Sequence, residues 1–325
     1  MRRRSLFMGV PAALAANLAW SKHGRTSTSA LIPPTPLSAP SPLRRGSRIR
    51  AVNTGTWIDP STDFSLLFER CAAQGWQLEL PRSLHRRWQW FSGTDAERLA
   101  ELEAAWSDPR VDGIFYTGFG WGSARVLEEG FRFPQRSLWS LGFSDSSSLL
   151  LAQWSVGSRG AIHASLAGSD QQWQRTVDLL RGRPVAPLSG KGMGGGVAEG
   201  PLVITNLTVA THLIGTPWFP VLKGALLILE EVGEAPYRVD RMLTQWRSAG
   251  LLRELAGVAT GRFSWKEEPE PGDFSMVDIL KERLAGLNVP FVIDLPIGHG
   301  SPNLALPLGV KARLDGQSGS LMLLP

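Results

Sequence analysis

SLWSLGFSDSSSLLLAQW, residues 137–154, is the stretch from which the fold is read. Its first part, SLWSLGF, is a short apolar strand, and SSLLLAQW is a helix. Gly142-Phe143-Ser144-Asp145 forms the corner between them. A strand running straight into a helix is the unit of a parallel sheet covered by helices. The same unit recurs on both sides. Upstream, RIRAVNTG (48–55), WQLEL (76–80) and VDGIFYTG (111–118) read as strands. DFSLLFERCAAQG (63–75), GTDAERLAELEAAWSD (93–108) and SARVLEEG (123–130) read as helices. In the second of these Thr94 is placed to cap, and Leu99, Leu102 and Ala105 share one face. Downstream the alternation resumes: VAEGPLVI, NLTVATHLIG, GALLILEE, PYRVDRMLTQWRSAG, GVATGRF, SMVDILKERLAG and FVIDL, then a β-rich tail.

The expected fold class is therefore α/β. One domain spans residues 48–180 and a second spans 201–325, with the Gly- and Pro-rich stretch 181–200 as linker. Gly190-Lys191 in that linker is not a phosphate loop, because Gly192 stands where Ser or Thr is required. Ligands of such sheets sit at the carboxyl ends of the strands. The loops to inspect are thus 53–57, 117–122 and 142–146.

Charge is divided unevenly. Nine of the 34 Lys and Arg lie in residues 1–58, which hold no Asp or Glu; the remaining 25 face 29 acidic residues, a balance of −4. A phosphate-neutralising surface on the body is not implied, so nucleic acid is not an expected partner. The chain opens MRRRSLFMGVPAALAANLAW, a basic start before an apolar run too short to span a bilayer. Arg3-Arg4 resembles a twin-arginine signal within residues 1–30, with cleavage after Ala19 or Ala30. Export, in a periplasmic setting, is the expectation; a frayed helix on a cytoplasmic protein is the other reading. Residues 31–47, with PPTPLSAPSP, read as an extended tether. The single cysteine, Cys71, excludes an internal disulfide and reads as a small buried hydrophobe.

Three side chains carry chemistry. Ser144 stands where a strand meets a helix, so its hydroxyl is exposed beside the free N–H groups of a helix start. By itself the signal is weak, because a serine before a helix is usually just an N-cap. Of five histidines, His23 lies in the leader and His85 in a basic surface stretch, while His163 and His212 sit in apolar surroundings. His299 lies in a turn after a buried strand, the better place for a base, although turn caps look the same. Glu230 ends the apolar run GALLILEE, where a carboxylate must be paired or solvated. It suits an imidazole-orienting acid, with Glu231 and Glu234 as competitors.

Taken together, these blocks resemble the LD-carboxypeptidase family. FSGTDAERLAEL, GFGWGSARVL, GFSDSSSLL, NLTVATHLIGTPWFP, LILEEVGEAPYRVDRMLTQW and LPIGHG with LPLG follow that family's motifs in order across residues 48–325. The resemblance implies a flavodoxin-like N-terminal domain and a smaller C-terminal domain. It implies Ser144 as nucleophile, His299 as base and Glu230 as its orienter, and a homodimer needing no cofactor or metal. Backbone N–H groups of Asp145, Phe119 and Gly120 would form the oxyanion hole. The implied reaction releases terminal D-Ala from murein tetrapeptides. Gly118-Phe119-Gly120-Trp121-Gly122 departs from the family's Arg-Gly-Gly-Tyr-Gly by lacking the arginine and gaining a phenylalanine. Trp121, Asn206, Arg241 and Arg125 are substrate-binding candidates, the two arginines as replacements for the missing cation. A microcin-immunity-like amide hydrolase and a silent cell-wall peptide binder are the alternatives.

Overall fold

In a computed structural model of the chain, residues 35–81, 83–267 and 272–325 are described. The expected export signal and both cleavage points lie outside the described residues. The first part of the chain builds β1 (Arg48–Val52), α1 (Ser65–Ala73), β2 (Gln77–Glu79), α2 (Asp95–Ser107), β3 (Gly113–Tyr116), α3 (Ser123–Glu128), β4 (Trp139–Gly142), α4 (Ser147–Ser155), β5 (Ala161–His163) and α5 (Asp170–Leu180). The second builds β6 (Leu188–Ser189), β7 (Lys191–Gly194), β8 (Val197–Asn206), α6 (Leu207–Leu213), β9 (Leu226–Val232), α7 (Pro236–Ser248), β10 (Gly257–Ser264), α8 (Met276–Leu284), β11 (Phe291–Ile293), β12 (Leu306–Pro307), β13 (Lys311–Asp315) and β14 (Ser320–Leu323).

Two sheets result. The first runs β12-β5-β4-β3-β1-β2, parallel except for β12. The second runs β6-β14-β13-β8-β9-β10-β11-β7, with β8 to β11 parallel and antiparallel strands on both flanks. This is the mixed α/β, two-sheet architecture implied by the resemblance.

Local rules account for the helices that frame the site. Thr94 caps α2 in a reciprocal capping box with Glu97, as S/T-x-x-E patterns do. On α4, Leu149, Leu150, Leu151 and Ala152 are all buried. A helix apolar on every side must be covered on every side. Accordingly α4 packs against β4 and β5 of the first sheet and against β8 and α6 of the second part. One core cluster runs through both sheets as a consequence. Among the described residues, no helix is long and apolar enough to cross a membrane.

Three boundaries differ from the sequence reading. The linker 181–200 is largely sheet: β6, β7 and the start of β8 lie in it. Its glycines allow close strand approach, since a Cβ on Gly192 would meet the Gln317 carbonyl oxygen at 2.4 Å. The Pro-rich tether is docked rather than free from Leu37 onward. Leu37 N–H donates to Gly157, Leu43 N–H donates to Leu180, and Leu43 is buried. The tail also returns: β12 adds to β5 of the first sheet, Leu306 opposite His163.

Candidate active site

The Ser144 corner is a strained turn. Ser144 has φ of +58°, in the left-handed region where a side chain costs about 1–2 kcal/mol. The strain follows from topology. β4 ends at Gly142, Ser144–Ser146 form one tight 3-10 turn, and α4 begins at Ser147. The chain reverses in so few residues only if Ser144 takes that conformation. Gly142 permits it, because a Cβ there would meet the Ser146 Cβ at 2.9 Å.

The opposing loop follows β11. Gly298 has φ of +95°, and a Cβ on it would lie 2.7 Å from Glu230 Cβ, so this glycine lets the loop close over the acid. Asn303 Oδ1 accepts from the Gly298 N–H at 3.0 Å. Arg262 donates to the carbonyls of Pro302 and Ser301 at 2.7 and 2.6 Å. The loop is therefore fastened at several points along its length.

Between these loops the three side chains form one hydrogen-bonded chain. His299 Nε2 lies 3.0 Å from Ser144 Oγ, and His299 Nδ1 lies 2.8 Å from Glu230 Oε2. An ionised carboxylate only accepts, so Nδ1 carries the proton and Nε2 accepts from the serine hydroxyl. The His299 N–H also donates to Glu230 Oε2, at 3.2 Å. Glu230 is fully buried, and burial alone would raise its pKa. The hydrogen bond and charge of His299 outweigh that and hold it below the ordinary carboxylate value. Burial would likewise lower His299, but the Glu230 hydrogen bond and charge prevail and raise it. Phe143 packs against the His299 ring, centroids 4.9 Å apart.

The glycine-rich loop is held to the corner by a side chain that sequence reasoning used only for its backbone. Asp145 is buried; its Oδ1 accepts from the Gly122 N–H at 3.1 Å, and its Oδ2 accepts from the Ser123 N–H and hydroxyl at 2.9 and 2.8 Å. Burial pushes its pKa up to about 6 against the pull of those donors. From below, buried Arg98 donates to the carbonyls of Thr54 and Gly122 and pairs with Asp95. A signal for Arg98 was present. It lies on the same face of α2 as Leu102 and Ala105, where a cation needs buried acceptors. Phe119 and Gly120 sit at the loop's tip, and neither N–H has an acceptor among the described residues. Gly118 is built for glycine: a Cβ would come within 2.5 Å of Asn53 Oδ1.

The substrate-binding candidates divide. Trp121 is partly exposed and meets His212 edge-on at 5.7 Å. Asn206 does not face a cleft: it is buried, caps α6 by accepting from the Val209 N–H, and donates to Glu231 Oε1. Glu231 is thereby tied up beside Asn206 and the Thr208 N–H. Arg125 does not replace the missing cation either, because Asp95 takes its guanidinium. Arg241 lies exposed on α7 without a hydrogen bond or ion pair among the described residues. His163 is buried behind Phe143, and burial lowers its pKa. Cys71 is buried, its thiol pushed up to about 12.

Known proteins share this arrangement of chain. The model described as the LD-carboxypeptidase N-terminal domain matches residues 49–164, and that of the LD-carboxypeptidase C-terminal domain matches 199–314. A Synechocystis sp. relative, whose name places it provisionally among carboxypeptidases, is 40% identical over 88% of this chain and 97% of its own. The murein tetrapeptide carboxypeptidase of Pseudomonas aeruginosa is 30% identical over 74% of this chain and 85% of its own. Among solved structures, the muramoyltetrapeptide carboxypeptidase of Oxalobacter formigenes shares the fold, with a TM-score of 0.75, 24% identity and coverage of 85% and 98%. The microcin C7 self-immunity protein shares it too, with a TM-score of 0.76, 18% identity and coverage of 89% and 99%.

Proposed function

Because this chain belongs to the LD-carboxypeptidase family and is thus a serine-type carboxypeptidase, we propose that it releases terminal D-Ala from murein tetrapeptides by hydrolysing an L,D-peptide bond. The observation that carries the reading is the chain Ser144 Oγ–His299–Glu230, at 3.0 and 2.8 Å. In this proposal His299 Nε2 takes the hydroxyl proton as Ser144 Oγ attacks the carbonyl carbon. The oxyanion falls to backbone N–H groups of Asp145 and of Phe119 or Gly120, each such donor contributing about 3–4 kcal/mol to the transition state. His299 then gives its proton to the leaving amine of D-Ala. Water, deprotonated by the same imidazole, resolves the acyl-enzyme. Glu230 keeps Nδ1 protonated and stabilises the imidazolium.

The proposal extends to setting and assembly: the basic, apolar leader supports export to the periplasm, and the family resemblance supports a homodimer. A second reading, hydrolysis of a different amide, is favoured by one observation. Gly118-Phe119 offers no cation where the family motif has one, and Arg125 is bound to Asp95.

The test is D-Ala release from purified murein tetrapeptide by the leader-free protein beside Ser144→Ala. Release by the wild type, lowered at least about 10⁴-fold in the variant, is expected. A folded wild-type protein that releases none rules the reaction out.

A further inference from the structure

A cavity of about 300 Å³ lies at the carboxyl edge of the first sheet, beside the nucleophile corner. Phe143, the residue before Ser144, is one wall, and Phe119 of the glycine-rich loop is another. Phe64 just before α1, Leu67 on α1, and Leu166 and Ala167 after β5 add to it. Leu66 and Phe119 also line it, and they are 52% and 53% exposed. Large apolar side chains left half in water around a concavity mark a place where a ligand covers them.

The lining specifies the ligand chemistry. Among the described residues the lining holds no Lys, Arg or His; its one carboxylate is Asp63, and burial raises the Tyr116 phenol so that it stays neutral, so an anionic group finds no counter-charge there. The space is at the lower end of what ligand pockets offer, and far more than a methyl group fills. Its position specifies which part of a substrate enters. Phe143 packs on the His299 ring, and in the proposed reaction that imidazole delivers the proton to the leaving amine.

We propose that this cavity is a subsite for the side chain of the leaving residue, and that it takes an aliphatic or aromatic side chain larger than methyl. The inference rests on the carboxypeptidase reading for the identity of the leaving residue. The enzyme thereby prefers C-terminal D-residues such as D-Leu over D-Ala. Ala167 is exposed at the cavity wall, so Ala167→Phe fills the space without disturbing the core.

The experiment compares murein tetrapeptides ending in D-Leu and in D-Ala. Turnover is measured with the wild type and with Ala167→Phe. Binding is measured by calorimetry on Ser144→Ala, and on the same protein carrying Ala167→Phe. The expected result is a D-Leu preference of at least about tenfold in kcat/KM and in binding, abolished by Ala167→Phe. Equal binding of the two peptides, or a preference that survives Ala167→Phe, overturns the subsite, even where D-Ala is released. A D-Leu preference in binding without release of either residue upholds the subsite and sinks the reaction. Failure to bind or cleave either peptide overturns both.

Discussion

The Ser144 corner and the His299 loop meet at 3.0 Å, yet they are held by different means. The corner is local. One strand, one tight turn and one helix, all within residues 139–155, fix the serine in its left-handed conformation. The His299 loop is assembled from afar: Glu230 on β9, Arg262 on β10 and Asn303 beyond the turn each hold a piece of it. Reactivity built from neighbouring residues leaves a continuous mark in the sequence. Reactivity built from distant strands leaves only separate residues whose meeting must be inferred.

The largest effect is expected in the long-range half. Glu230→Gln removes the charge that favours the His299 imidazolium and holds its tautomer, and kcat/KM is expected to fall about 10³–10⁴-fold. The sign in pH follows from the raised pKa of His299. The stabilising Glu230–His299 pair is complete below the ordinary histidine value of about 6.5, and is lost as pH rises through the higher folded value. Activity runs the other way, because the base must be neutral. The wild-type acidic limb therefore lies above about 6.5 and moves to lower pH in Glu230→Gln. A limb that stays in place shows that Glu230 does not set the charge of His299.

A smaller effect is expected at Asp145, which ties the local corner to the glycine-rich loop. Asp145→Asn keeps the shape but turns an NH₂ group toward an N–H at Gly122 or Ser123. The expected losses are about 1–3 kcal/mol of stability and, through the displaced glycine-rich loop, about 10²-fold in kcat/KM. Wild-type kinetics in this variant would show that the clamp does not position the loop. The smallest effect is on stability alone. Ser144→Gly relieves the left-handed strain that Ser144→Ala retains, and should be the more stable by about 1 kcal/mol in urea unfolding. Equal midpoints would mean that the corner is not strained.

Much of this was legible beforehand, for physical reasons. Strong alternation of apolar strands and amphipathic helices specified the α/β class, and Thr94 marked the start of α2. The positions of Ser144, His299 and Glu230 at element ends marked them as candidates, although each also fitted a plain structural role. What escaped was long-range. The pairing of β7 with β11 draws strand from a glycine-rich stretch that has no apolar signal of its own. The pairing of Asn206 with Glu231, and the capture of Arg125 by Asp95, depend on partners that only the folded chain brings near. The clamp by Asp145 needs the glycine-rich loop to come back over a corner more than twenty residues further on.

Covalent labelling shows which residue is nucleophilic and what makes it so. The leader-free protein is treated with a fluorophosphonate and mapped by peptide mass spectrometry, beside His299→Ala. One adduct is expected, on Ser144, lost or greatly slowed in the variant. A protein that takes no label, or a Ser144 label indifferent to the loss of His299, contradicts that expectation.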